Sequence, residues 1–200
     1  MEWNSFNPSV SDFESLGYQS VVFSGSQCSN TGNAVEDALS TNSRVVVDAR
    51  GCANGIQLAG TSSWFTSRPY NLQLRNHVVF LTDKLDMNRV NISSRGGGSY
   101  QLFAIGPDTG GNNQPTCSGG SFRLNQNVNT ATNTPMMLYS PCSVTIGSNN
   151  DFSGQIYAWP VRRRRHQRHR KPLHPAPDGH ELRPPPRTAH GPGQQRQAPH

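Results

Sequence analysis

Apolar residues arrive in this chain in short bursts rather than in helical stripes. Leu72/Leu74, Leu85/Met87, Val90/Ile92 and Val144/Ile146 alternate with polar neighbours, and Ile156 sits between Gln155 and Tyr157. A period of two puts such residues on one face of an extended strand. The pattern predicts strands over 44–47, 56–58, 71–74, 77–81, 84–87, 89–92, 100–105, 121–124, 136–139, 143–146 and 154–158. Turn chemistry separates them: RGGGS at 95–99, PDTGGNNQPT at 107–116, CSGG at 117–120 and GSNND at 147–151. One short helix is expected over 33–40.

Strands this short and numerous make an all-β fold: a sandwich, a barrel or a solenoid. Each apolar cluster is followed by a polar bend, and Asn and Gly fall at the bends, where Asn tolerates the left-handed conformation and can stack in ladders. That favours a right-handed parallel β-helix, with a β-sandwich as the alternative. Val78 and Val144 lie 66 residues apart, which would fit three coils of 22.

Composition changes this picture at residue 160. Of the 200 residues only 32 % are hydrophobic, too few for a uniformly globular chain, and the deficit is uneven. Residues 1–160 hold 18 Asn, and 161–200 hold none. The last forty residues carry nine Arg, one Lys, six His and eight Pro, without Ser, Ile, Phe, Tyr, Trp or Cys. The net charge of +6 divides into +8 there and −2 in the body, so the basic balance describes only the tail. The expected organisation is a partly irregular segment 1–43, a β-solenoid 44–160 and a disordered tail 161–200 that cannot build a core. Within the tail, Arg162, Arg163, Arg164, Arg165, Arg168, Arg170 and Lys171 form a polycation. It would bind nucleic acid, if at all, non-specifically and in a salt-dependent way.

The four cysteines, Cys28, Cys52, Cys117 and Cys142, form no C-x-x-C pair, and His77 is the only body histidine. Neither a metal site nor a cofactor is expected from them. An even number in a polar domain fits disulfides and an oxidising, extracytoplasmic location. Three pairings are possible; Cys28–Cys52 and Cys117–Cys142 close similar loops without crossing. No stretch approaches the ~20 apolar residues of a membrane span. The start of the chain has neither a basic nor an apolar signal region, so an export segment is expected to lie outside this sequence.

Candidate chemistry is sparse. Asp83 and Asp86 flank Lys84 near Arg89, but an offset of three in a strand puts the two carboxylates on opposite faces. Asp48 has Arg50 beside it for a local ion pair, and Asp108 and Asp151 lie in Asn/Gly loops suited to Asx-turns. Two carboxylates meeting across coils could hold Ca²⁺. His77 has no visible nucleophile partner, and RGGGS lacks the lysine and helix of a phosphate loop. Trp64, Phe65, Tyr70 and Tyr100 could stack on a sugar, or simply pack.

The stretch MMLYSPCSVTIGSNNDFSGQIYA (136–158), with VVVDARGC (45–52), NLQLRNHVVFLTDKLDM (71–87) and CSGG, resembles the C-terminal β-helical region of pilin-like (PilX-type) envelope proteins of actinobacteria and related bacteria. The resemblance covers about 110 to 120 body residues. It implies a rigid, non-enzymatic structural or adhesive domain outside the cytoplasm, in contact with other envelope or pilus components. Family members begin with a membrane helix and continue past GQIYA with further strand-like sequence. Their absence here predicts an N-terminally truncated chain and a shifted reading frame after residue 160. The alternatives are a carbohydrate-active β-helix enzyme using Asp83, Asp86 or Asp151, and nucleic-acid binding through the tail.

Overall fold

A computed structural model describes residues 3–62, 66–110, 113–159 and, as backbone, 161–163. All belong to the compact unit Met1–His166; a second unit, Gln167–His200, lies outside the described residues. The protein is mostly strand, with few and short helices. In chain order these are α1 (Val10–Glu14), β1 (Gln19–Val22), α2 (Ser26–Ser29), α3 (Thr31–Ala38), β2 (Val45–Asp48), β3 (Ile56–Ala59), β4 (Thr61–Ser62), β5 (Ser67–Arg68), β6 (Tyr70–Leu74), β7 (Val78–Leu81), β8 (Lys84–Asn88), β9 (Val90–Ser94), β10 (Leu102–Ile105), β11 (Ser121–Gln126), β12 (Val128–Thr130), β13 (Met136–Ser140), β14 (Val144–Ser148), β15 (Gly154–Ala158) and β16 (Val161–Arg163). Each of the eleven expected strands is present. The expected helix forms two residues early, as α3.

Apart from the small antiparallel pair β4–β5, the strands lie in three parallel sheets. The first has the order β1-β2-β7-β10-β13-β15, the second β3-β8-β11-β14-β16 and the third β6-β9-β12. The chain visits the first, second and third sheets in turn and then returns to the first. A parallel isolated bridge from Asn129 to Asp151 stands in for a strand of the third sheet on the last such circuit. The steps are uneven. In the first sheet Val45 pairs with Val78, Val78 with Leu102, Leu102 with Met136 and Met136 with Gly154, spacings of 33, 24, 34 and 18 residues. The 66-residue interval from Val78 to Val144 is therefore not a repeat: Val78 lies in the first sheet and Val144 in the second.

Parallel register lines the inward side chains up in rows. Val45, Val78, Leu102 and Met136 form one, and Val47, Phe80, Ala104 and Leu138 another, where Phe80 takes the room that Ala104 leaves. The second sheet contributes Ile56, Leu85, Phe122 and Val144, then Leu58, Met87 and Leu124. All are buried, and each except the small Ala104 is worth roughly 1.5–3 kcal/mol relative to exposure.

The corner between the second and third sheets is a single residue in two successive circuits, Arg89 and then Asn127, with φ of 55° and 52°. Asn149, φ 56°, occupies the same corner one circuit on. Backbone bonds run through the corner, from Arg89 N–H to Gln126 C=O and from Asn127 N–H to Ser148 C=O. The expected asparagine ladder does exist, but within the third sheet rather than at a bend. Asn71, Asn91 and Asn129 are in register; Asn129 Nδ2 donates to Asn91 Oδ1 (3.0 Å) and Asn91 Nδ2 to Asn71 Oδ1 (3.2 Å).

Before residue 44, in the segment expected to be partly irregular, β1 already extends the first sheet and α3 covers one end of the core. Val35 of α3 is fully buried. The Thr31 hydroxyl donates to Gln57 C=O (3.0 Å) and accepts from Gln57 N–H (2.8 Å), occupying edge groups of β3. At the other boundary the tail begins later than expected. Val161, Arg162 and Arg163 pair with Val144, Thr145 and Ile146, because strand pairing needs only backbone groups and β14 offers a free edge. Arg164, Arg165, Arg168, Arg170 and Lys171, and the disorder expected of them, lie outside the described residues.

The outward face of the first sheet is apolar as well: Val46, Val79, Leu81, Ile105 and Tyr139 are buried there. Trp3, Val10, Phe13 and Tyr18 of the N-terminal segment pack on it. Burial on both faces is the usual state of parallel strands and explains the unbroken runs VVV and VVFL.

Candidate functional site

Tyr139 is the hub of the most concentrated exposed apolar feature. Inward Leu138 pairs with Ile156, so the next register position brings Tyr139 beside Tyr157 on the outer face. The N-terminal segment meets Tyr139 from the other side. Its ring lies 5.2 Å from Trp3 and 5.6 Å, edge-on, from Phe6. Its hydroxyl donates to Asn4 C=O (2.8 Å) and accepts from Phe6 N–H (2.9 Å). Burial pushes the Tyr139 phenol up to about 12, opposed by the Phe6 amide and assisted by the nearby charge of Asp108.

Asp108 fixes the geometry. It is 2 % exposed and accepts from Trp3 Nε1 (2.6 Å), Thr116 N–H (3.1 Å) and Gly110 N–H (3.2 Å). Burial works to raise its pKa, but the bonds from Trp3, Thr116, Gly110 and Ser5 outweigh it, and the carboxyl is held below its usual range. Ser5 Oγ also donates to Gly110 C=O, and Asp108 N–H to Phe6 C=O (3.3 Å). The Asx-turn expected at Asp108 is thus also a clamp on the start of the chain.

These residues line a cleft of about 1070 Å³ that continues to Tyr157 and Trp159 and includes the carboxamides of Asn4 and Gln114. Trp159 is 67 % exposed, Phe6 43 % and Tyr157 38 %. A cleft dominated by aromatic faces with a few polar groups is suited to flat, partly apolar ligands. No local pattern marks it, since Trp3 and Phe6 lie more than 130 residues from Tyr139, Tyr157 and Trp159.

Of the four aromatics that could stack on a sugar or simply pack, Tyr70 and Tyr100 have separate partners. The Tyr70 hydroxyl donates to Gly32 C=O (2.8 Å), and burial first, then Glu36, pushes its pKa up. Tyr100 stands edge-on to His77, 6.2 Å away. Trp64 and Phe65 lie outside the described residues. His77 Nδ1 accepts from Gln101 N–H (3.2 Å), a structural role.

The carboxylates of Asp48 and Asp86 are held locally. Asp48 makes the expected ion pair with Arg50 (2.7 Å); burial raises its pKa, and the hydrogen bonds and charge of Arg50 more than reverse that. Asp86 accepts from Asn125 Nδ2 (2.6 Å) on β8, whereas Asp83 precedes that strand. Asp151 uses its backbone to bridge Val128 and Thr130. Among the described residues, no group of three or more metal-ligating side chains converges. Cys28 is joined to Cys52 and Cys117 to Cys142. The second bridge ties the loop that carries Asp108 to the corner after β13. Two disulfides point to an oxidising, extracytoplasmic environment. No helix among the described residues is long and apolar enough to cross a membrane.

No family model matches this chain, and no curated protein or solved structure matches it.

Proposed function

We propose that this protein is a structural or adhesive extracytoplasmic domain, not an enzyme, wound as a right-handed parallel β-helix, and that the aromatic cleft is its contact site for a neutral polysaccharide. The winding reading rests on the repeated first–second–third sheet order together with the strong right-handed preference of parallel crossovers. The resemblance to pilin-like envelope proteins agrees with it and adds other envelope or pilus components as partners.

The observation that carries the functional reading is the exposed Tyr157–Trp159 edge beside Tyr139 and Phe6. Exposed aromatic area of this kind, held rigidly by a sheet and a carboxylate clamp, is a recognition feature rather than a packing one. A pyranose ring offers a C–H face to the rings and hydroxyls to Asn4 and Gln114. The carboxylates of Asp48, Asp86 and Asp108, by contrast, are spent on holding backbone or neighbouring side chains.

The test is retention of the full chain on insoluble cell-wall polysaccharide at roughly 0.5 M salt, where polycation binding through the tail is suppressed. Retention should persist in the wild type and fall roughly tenfold or more in Trp159→Ala and Tyr157→Ala. Equal retention of all three rejects the cleft. Release of reducing or unsaturated ends from pectin or alginate, abolished by Asp86→Ala, supports the lyase or hydrolase alternative instead.

A further inference from the structure

The corner where the third sheet returns to the first is cationic, although the body as a whole carries −2. Arg44, Arg75 and Arg95 all fall on it, each in the connection that leads into a strand of the first sheet. No acidic residue occurs in the matching connections 40–44, 75–77, 95–101 and 131–135. Arg75 and Arg95 line one pocket of about 440 Å³ with Asn42, Asn76 and Tyr100, so every side chain lining it carries a hydrogen-bonding group.

The guanidiniums are under-used. Arg75 Nη1 reaches only Asn42 Oδ1, at 3.5 Å, the outer limit of a hydrogen bond. The Arg95 guanidinium makes no hydrogen bond or ion pair among the described residues, whose one salt bridge, Asp48–Arg50, lies elsewhere. The pocket's other groups are already braced. Asn76 Nδ2 donates to Asn42 C=O (3.1 Å), Asn76 Oδ1 accepts from His77 N–H (2.9 Å), and Tyr100 packs edge-on to His77. The walls are set while Arg75 is held by one long bond and the Arg95 guanidinium by none among the described residues. Arg95 opens the RGGGS turn, where Gly96 and Gly97 take φ of 79° and 78° and let the chain reverse.

We propose that this pocket binds an oxyanion, a phosphate or carboxylate borne on a sugar-sized unit. A guanidinium presents a planar fork that matches such groups two bonds at a time. The volume lies within the range of small-molecule sites and leaves room for the unit that carries the charge. This site is separate from the aromatic cleft and does not depend on the reading of that cleft.

The test uses the full chain and a residue-resolved readout, so that the basic tail is observed separately. Inorganic phosphate and glucose 1-phosphate are each titrated at constant ionic strength while backbone amide signals are followed by NMR. Signals of residues 75–77 and 95–101 should move and saturate with both ligands, with glucose 1-phosphate bound at least as tightly. Arg95→Gln and Arg75→Gln should each weaken saturation roughly tenfold. Arg68→Gln, on β5 at another corner, should leave it unchanged, and all three variants should keep the wild-type amide pattern elsewhere. Signals that move only in the tail, that move equally with sodium chloride or glucose, or that saturate unchanged in both pocket variants overturn the proposal. Weaker binding of glucose 1-phosphate than of phosphate overturns the sugar-sized part of it.

Discussion

Asp108 illustrates how one carboxylate can decide the behaviour of a whole segment. Four donors hold it ionised, so its folded-state pKa is depressed. Such a group contributes stability that is fully present above the unfolded value, near 3.9, and is lost as pH falls through the lower folded value. Asp48 shifts the same way for the same kind of reason. We therefore expect urea midpoints that are level between about pH 7 and 5 and decline below about pH 4. Asp108→Asn should cost about 1–3 kcal/mol at neutral pH, because an amide turns donors toward donors, and should flatten the acid decline. A variant that keeps the full acid slope would show that the clamp does not titrate. The residue was legible in the sequence only as a loop Asp; its partner Trp3, 105 positions away, was not.

Elements were read more easily than their neighbours. Alternation marked Leu85/Met87 or Val144/Ile146 as strands because the second sheet buries one face. A dense apolar burst marked 77–81 as a strand, yet it did not say why all of Val78–Leu81 are apolar. The missing information was the N-terminal segment lying on the outer face, a contact with no local signature. β1 was missed for a related reason: QSVV shows no alternation, and its place in the sheet comes from β2. Where one strand crowds the next, the consequence can be measured. A Cβ on Gly147 of β14 would sit 1.5 Å from the Asn125 carbonyl oxygen of β11. Gly147→Ala should force the two strands apart and cost about 1–3 kcal/mol in chemical unfolding. An unaltered midpoint would mean that the second sheet yields there at no cost. The disulfides, each contributing on the order of 3 kcal/mol in the chain-entropy account, hold the long connections rather than the strands.

For the whole molecule, the break in composition falls inside the second sheet's last pairing rather than before it. Composition changes at residue 160, but the second sheet runs on through Val161–Arg163. Removing 164–200 should leave the thermal midpoint unchanged, since that stretch brings only Leu173 and Leu182 as large aliphatic side chains. Removing 160–200 strips β16 from β14 and should lower the midpoint by about 2–4 °C for each kcal/mol lost with the strand. Equal midpoints for the two truncations would place the working end of the body before residue 160.

The bond from Trp3 to Asp108 and those from Phe6 and Asn4 to Tyr139 join the start of the chain to residues 105 to 135 positions later. Time enters here. At the usual pace of synthesis, about 5–20 residues per second, these residues wait several seconds or more for the surface they cover. Throughout that interval Trp3, Phe6 and Phe13 are bare, and so is each apolar strand of the first sheet as it is laid down. The segment is thus made well before it can be seated. Until it closes, the nascent protein presents a sticky flank to whatever chaperone, translocation channel or neighbouring chain it meets.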